Sequence, residues 1–120
     1  MIVDESTDRG KIHSLAILTR YVDFELGCIN DSVFDLIEIY QHEFDIADAD
    51  NLFAKMMQSF LDAGIPINHI ISFCGDSCNV LFGVNHSVST HLKRLLPHVL
   101  NVKCNCHIEN LCAKNATAAD

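Results

Sequence analysis

Residues 70–76 read Ile-Ile-Ser-Phe-Cys-Gly-Asp, an apolar run that ends on a glycine and an acid. Short apolar runs closed by turn residues are typical of buried strands. The run therefore predicts a strand followed by a loop that carries the Asp76 carboxylate. A second acid has a similar setting near the start of the chain, where apolar residues lead into Asp4. Two carboxylates at strand ends can meet if their strands are neighbours in one sheet.

The apolar pattern predicts an alternation of strands and helices. Branched and alternating apolar residues predict five strands, at 2–5, 14–23, 33–41, 70–74 and 99–103. Helical spacing predicts three helices, which begin after Asp48 or Asp50, at Asn85 and near His107. The predicted order is therefore βββαβαβα, an α/β fold with a mixed sheet.

The connections predict the directions of the strands. Gly27 and the pair Asn30-Asp31 are typical turn residues between the second and third strands, so the first three strands form an antiparallel meander. Helices separate the later strands. A strand that follows a helical crossover lies parallel to an earlier strand, so the fourth and fifth strands are expected to be parallel additions.

The composition is that of one globular domain with an excess of acids. At 120 residues, 49% of them hydrophobic, the chain can fill a core of its own. Eight basic against sixteen acidic residues give a net charge of −8, which disfavours binding to a phosphate backbone. No apolar run is long enough to cross a membrane, so we expect an intracellular protein whose six cysteines are reduced thiols.

Four motifs taken together resemble the hAT superfamily of transposases. They are Ile-Val-Asp-Glu-Ser-Thr-Asp at 2–8, the strand end Gly75-Asp76, Asn-His-Ser-Val at 85–88 and Cys104-x-x-His107. The closest likeness is to domesticated relatives known as zinc-finger BED-type, MYM-type or SCAN-domain proteins. The resemblance spans almost the whole chain in order. It implies a ribonuclease H-like fold with strand order 3-2-1-4-5, a nuclear location and, in the family, Mg²⁺-dependent cleavage and transfer of DNA strands.

The resemblance assigns Asp4 and Asp76 to the first two catalytic acids of the family. In the implied sheet, strands one and four are adjacent and parallel, so the two carboxylates would together hold Mg²⁺ or Mn²⁺. Without the resemblance, Asp4 reads as a turn residue and Asp76 as a loop acid. The third acid of the family has no counterpart, and Glu109 reads as an exposed helix residue. We therefore expect a single partial domain over 1–120, a transposase fragment that is inactive by itself.

Other functions stay open. The fold could serve as a protein-interaction module of a nuclear regulator derived from a transposon, with DNA bound only through domains outside this chain. Alternatively, Asp4, Asp76 and Glu109 could converge as a metal-dependent nuclease, or a longer chain could carry the complete transposase. Self-association is also expected, because a partial domain leaves apolar sheet surface uncovered.

Cys104 and His107 also raise the question of zinc, which structural sites bind through four ligands in a tetrahedron. Cys74 and Cys78 could supply the other two ligands. By resemblance, the Cys-x-x-His motif lies close to the active site and is not a closed zinc site, so we expect no stoichiometric zinc in the purified protein. The remaining histidines show no ligand spacing and are predicted to be surface residues: His13, His42, His69, His86, His91 and His98.

Overall fold

The computed structural model describes residues 1–7, 9–10, 12–40 and 48–118. Asp8 of the first motif, His42 and the predicted end of the third strand at 41 lie outside these residues. None of the helices within the described ranges is long and apolar enough to cross a membrane.

Strands and helices alternate along the chain. In chain order they are β1 (Ile2–Thr7), β2 (His13–Asp23), β3 (Cys28–Glu38), α1 (Ala49–Asp62), β4 (Ser72–Gly75), α2 (Asn79–Phe82), α3 (Val88–Leu95), β5 (Leu100–Lys103) and α4 (Asn105–Ala118). A 3₁₀ turn over Ile67–His69 precedes β4. The four-residue helix α2 and this 3₁₀ turn are additions to the predicted order.

The five strands form one mixed sheet in the order β3-β2-β1-β4-β5. β1 pairs with β2, and β2 with β3, in antiparallel fashion, whereas β4 lies parallel to both β1 and β5. The mixed α/β class, the order of the strands and their directions are therefore confirmed. The parallel pairings follow from the helical crossovers, because a strand that returns after a helix enters the sheet in the same direction.

The turn between β2 and β3 comes earlier than the sequence predicts, so Asn30 and Asp31 lie inside a strand. Asp23 builds the turn, because its Oδ1 accepts hydrogen bonds from two backbone N–H groups that follow it, at 3.0 and 3.1 Å. Gly27 completes the turn at φ 64°. Asp31 suits a strand because Arg20, opposite it, donates two hydrogen bonds to its carboxylate at 2.7 and 2.8 Å. These hydrogen bonds hold the pKa of the Asp31 carboxyl below its usual value.

A β-bulge in β3 directs two consecutive side chains toward helix α1. The register shifts between Ile17 and Leu18 of β2, which leaves Phe34 as the extra residue on the facing strand. The Phe34 ring stacks on Phe60 of α1 with the ring centroids 4.6 Å apart, and Asp35 accepts a hydrogen bond from the same helix. The bulge therefore joins the edge strand β3 to the core.

One face of the sheet carries the hydrophobic core, with α1 and α3 packed against each other over it. Fully buried apolar side chains come from the sheet and from both helices: Val3, Leu15, Ile17, Leu52, Met56, Phe73, Val88 and Leu92. Burying one such side chain contributes about 1.5–3 kcal/mol of transfer free energy, so this face dominates the stability of the fold.

Helix α1 begins and ends close to the predicted positions. Asp48 is its N-cap, and the Asp48 Oδ1 accepts a hydrogen bond from the backbone N–H of Asn51 at 2.8 Å. Gly64, just beyond the helix, has φ 70°, a left-handed conformation that favours glycine and stops the helix. Met56 is fully buried, as expected for a methionine at helical spacing.

Helix α3 is capped by Ser87 and not by the predicted Asn85. The Ser87 hydroxyl accepts a hydrogen bond from the backbone N–H of Thr90 at 3.2 Å, and the Thr90 hydroxyl accepts one from the Ser87 N–H at 2.9 Å. This reciprocal capping box satisfies two backbone donors, which a single asparagine side chain would not do. The helix ends at Leu95, before Pro97, as predicted.

The opposite face of the sheet is open in the part of the chain that the structure describes. Strand alternation places Leu36, Leu100 and Val102 on this side, where they are 65%, 63% and 39% exposed. Helix α4, which follows β5, has no buried residue. We call the surface formed by Leu36, Leu100 and Val102 the open sheet face.

Candidate functional site

Asp4 lies in the middle of β1 and not at its end, which corrects the predicted strand end at residue 5. β1 stays paired with β2 as far as Thr7, opposite His13. Because side chains alternate along a strand, Val3 faces the core and is 2% exposed, whereas Asp4 faces the other side and is exposed. The carboxylate therefore projects from the same side of the sheet as the open sheet face.

Asp76 directly follows β4, as the sequence predicts. Its Oδ1 accepts a hydrogen bond from the backbone N–H of Cys78 at 3.1 Å, which holds the carboxylate in a tight turn. Gly75 is buried, and a methyl group there would lie 3.0 Å from Leu81 Cδ1 and 3.3 Å from Val3 Cγ2. Glycine at this position therefore lets the short helix α2 pack closely on the strand end that carries Asp76.

Asp4 and Asp76 each follow the one residue pair that joins β1 to β4. In the parallel pair of β1 and β4, Ile2 lies opposite Cys74, and each acid comes two residues after one of these partners. Neighbouring strands are about 4.8 Å apart, so the backbone that leads into Asp4 lies beside the backbone that leads into Asp76. Carboxylate oxygens are the ligands that Mg²⁺ prefers in proteins, so this level of the sheet is a candidate metal site.

The Cys104-x-x-His107 motif starts at the same level on the next strand. β5 lies parallel to β4 with Lys103 opposite Gly75. The backbone N–H of Cys104 donates a hydrogen bond to the Gly75 carbonyl at 2.7 Å, which places Cys104 next to Asp76. His107 follows in the first turn of α4 and is half-buried. The motif thus begins beside the strand end that carries Asp76.

Glu109 lies exposed on α4, as predicted for an ordinary helix residue. Among the described residues, no set of three His, Cys, Asp or Glu side chains at metal-binding distance includes Asp4 or Asp76. The compact nuclease, which needs both acids to converge with Glu109, therefore finds no support in these positions.

A cleft of about 390 Å³ lies elsewhere, between β2, β3 and the end of α1. Met1, Phe34, Phe60 and Ile70 are among the side chains that line it. Neither acid nor the Cys-x-x-His motif lines this cleft, so its volume adds nothing to the candidate metal site.

Two thiols beside the candidate site are held in the neutral form. Burial, and then the hydrogen bond with the Asp76 carboxylate, raise the pKa of the Cys78 thiol to about 11. Burial, and then the nearby Cys104, raise the pKa of the Cys74 thiol. At neutral pH these thiols therefore add no negative charge beside the acids.

The Cys78 pKa predicts slow alkylation in the folded protein. Only the thiolate reacts with iodoacetamide, and two pKa units correspond to roughly a 100-fold smaller thiolate fraction at pH 8. We therefore expect Cys78 to react about 100-fold more slowly in native protein than in guanidinium, as followed by peptide mass spectrometry. The exposed Cys28 is the control, and its rate should change far less. Equal native rates at Cys78 and Cys28 would contradict this.

Thiol state gives the same experiment a second readout. All six cysteines are free in the structure. After denaturation without reductant, each should take up one alkyl group, as expected for reduced thiols.

Three side chains that the sequence does not group lie together where α1 meets α3. Asp50, in the first turn of α1, has its Oδ1 2.7 Å from His91 Nε2 and 3.1 Å from His86 Nε2. The hydrogen bond from His91 holds the pKa of the Asp50 carboxyl below its usual value. His86 and His91 were expected to be surface residues without ligand spacing. Their grouping depends on an acid from another helix, which no local spacing reveals.

If the Asp4 and Asp76 carboxylates met, they would form an open metal site with few protein ligands. Two carboxylates supply hard oxygen ligands, which suit Mg²⁺ or Mn²⁺, and leave the other coordination positions to water. Two-metal phosphoryl transfer holds its ions about 3.5–4 Å apart between shared ligands, which requires more ligands than two carboxylates supply.

The chain matches no family model, and it matches no curated protein.

Proposed function

We propose that this chain is a domain derived from a hAT-type transposase, with the ribonuclease H-like fold, and that it neither cuts nor joins DNA by itself. Its place of action would be the nucleus. The sheet is the observation that supports this most: its order is β3-β2-β1-β4-β5, Asp4 lies on β1, and Asp76 directly follows the adjacent parallel strand β4. The resemblance implies the same order and the same two positions for the first two acids of the family.

Inactivity follows from the ligands and from the charge. Two carboxylates without a third acid hold a second Mg²⁺ weakly, and the described residues offer Asp4 and Asp76 no further His, Cys, Asp or Glu ligand. The net charge of −8 repels the phosphate backbone before any chemistry begins. Binding to DNA would then require domains other than this one.

A second function, protein interaction within a nuclear complex, is favoured by the open sheet face. Exposed apolar residues on one face of a sheet, here on its two edge strands β3 and β5, mark surfaces that bind other proteins. Under this alternative the two acids would be remnants, and their replacement would leave the interaction unchanged.

Plasmid nicking tests the catalytic half of the proposal. At low salt, with Mg²⁺ or Mn²⁺, we expect the chain to leave supercoiled plasmid intact, because two acids cannot fix a metal pair. The Asp76→Ala variant, purified in the same way, controls for a contaminating nuclease. Metal-dependent nicking by the parent that disappears in Asp76→Ala would overturn the inactive reading, and its additional loss in Glu109→Ala would favour the compact nuclease.

Mn²⁺ titration followed by NMR tests whether Asp4 and Asp76 bind a metal ion. A paramagnetic ion held by Asp4 and Asp76 should broaden the amide signals of residues 3–5 and 75–77 first. Asp31 is an internal control, because Arg20 already occupies its carboxylate. Broadening that survives in Asp76→Ala, or that is equally strong around Asp31, would show that this level of the sheet is not a metal site.

A further inference from the structure

A second cluster of ligand atoms lies on the other side of the sheet, at the junction of α1 and α3. Asp50 Oδ1 contacts both His86 Nε2 and His91 Nε2, and the ligand atoms of the three residues lie within 4.8 Å of one another. The three residues come from three different segments: the first turn of α1, the loop before α3 and α3 itself. We propose that Asp50, His86 and His91 form a binding site for Zn²⁺ or a similar divalent transition-metal ion.

The two distances from Asp50 to the histidines are close to those that a bound ion requires, and the two histidine ligand atoms lie within 4.8 Å of each other. Zinc lies about 2.0–2.2 Å from nitrogen and oxygen ligands, so ligand atoms around a tetrahedral ion are about 3.3 Å apart. Asp50 Oδ1 is 2.7 Å from His91 Nε2 and 3.1 Å from His86 Nε2. Shifts of well under 1 Å in these two contacts, roughly estimated, would make room for the ion as it replaces the imidazole protons.

The donor set selects the class of ion. Two imidazole nitrogens and one carboxylate suit zinc and its neighbours in the first transition row, whereas Mg²⁺ prefers oxygen ligands only. Three protein ligands leave a fourth position for water, which is the arrangement of open zinc sites and not of closed structural ones. The excess of acids in the chain also favours a cation at its surface.

Packing holds the His91 ring in place before any ion binds. The His91 side chain is only 19% exposed, and its ring stacks on Phe53 with centroids 5.0 Å apart. Asp50 and His86 are more exposed, at 63% and 56%, so an ion can enter from the solvent. A bound ion would then link the N-terminal end of α1 to α3.

This cluster is separate from the candidate site at Asp4 and Asp76 and from the cysteines. α1 and α3 cover the core face of the sheet, whereas Asp4 projects from the opposite side. Within the described ranges, no thiol joins Asp50, His86 and His91 at metal-binding distance. The expectation of no stoichiometric zinc rests on Cys104 and His107 alone, so a zinc ion at this cluster would depart from that expectation.

Calorimetric titration of the full chain with Zn²⁺ tests the site, with Co²⁺ absorption as a second probe of the ligands. We expect about one bound ion per chain, a cobalt spectrum without thiolate charge-transfer bands and a higher melting temperature in the presence of Zn²⁺. Loss of a side chain that binds the ion directly should weaken binding by at least about tenfold, since even residues that only hydrogen-bond to the ligands contribute about 10–100-fold. His91→Ala and the isosteric Asp50→Asn should both show this loss.

His69→Ala and Cys104→Ser are the matched controls, because each removes a potential ligand outside the cluster and should leave the affinity unchanged. Asp50 is largely exposed, so Asp50→Asn keeps the fold and its melting temperature without metal should stay close to that of the parent. The proposal fails if no Zn²⁺ binds, if His91→Ala and Asp50→Asn bind as tightly as the parent, or if binding is lost in Cys104→Ser instead.

Discussion

Replacing Phe73 by alanine will lower the free energy of unfolding by about 3–5 kcal/mol, the range for a buried phenylalanine that leaves a cavity. Phe73 is fully buried in β4, the strand that joins the antiparallel half of the sheet to β5. Its ring also stacks on Phe82 of α2 with centroids 5.3 Å apart. Domains of this size have unfolding free energies of only about 5–15 kcal/mol, so this substitution removes a large part of the total stability.

Urea unfolding followed by circular dichroism measures this effect. Phe24→Ala is the matched control, because the same side chain is 91% exposed there and its removal should change the stability by less than about 0.5 kcal/mol. A Phe73→Ala midpoint close to that of Phe24→Ala would mean that the core does not close over β4. The same result would weaken the placement of Asp76, which β4 positions.

The sheet was predictable because its strands carry strong and redundant signals. Alternation along β2, the apolar run that ends at Gly75 and the helical spacing after Asp48 each predict one element, and the crossovers then set the strand directions. The strand order itself came from the resemblance. Periodicity alone leaves the neighbours of β1 undetermined, and with them the pairing of Asp4 and Asp76.

Local boundaries were predicted less well because tertiary contacts changed them. Asn30 and Asp31 have turn propensity, yet the hydrogen bonds between Arg20 and Asp31 stabilise a longer hairpin. Ser87 replaces Asn85 as a helix cap because it is fully buried and paired with Thr90. In both cases a specific partner outweighed the preference of the residue type.

The cluster of Asp50, His86 and His91 shows where sequence reasoning stopped. The two histidines are five residues apart, which matches neither the i, i+4 face of a helix nor a familiar ligand motif. Asp50 is visible in the sequence only as an acid in the first turn of α1. Their contact requires the packing of α1 on α3, and that packing depends on distant core residues such as Met56 and Leu92.

The chain will self-associate when it is expressed alone, and a charge on the open sheet face will reverse this. Leu36 and Leu100 lie on the two edge strands of the described sheet and are 65% and 63% exposed. Exposed apolar surface next to unpaired strand edges drives association, and lysine at such edges prevents it. We therefore expect Leu36→Lys to shift the protein from oligomers toward monomers in analytical ultracentrifugation.

Leu61→Lys separates this effect from a general change in charge. Leu61 lies on α1 and is also 65% exposed, so the substitution has the same chemistry and the same accessibility away from the sheet. If the open sheet face drives association, Leu61→Lys should remain oligomeric, whereas Leu36→Lys and Leu100→Lys should each shift the protein toward monomers. A parent chain that sediments as a monomer with a cooperative melt would show that this face needs no cover, and the interaction alternative would then lose its main support.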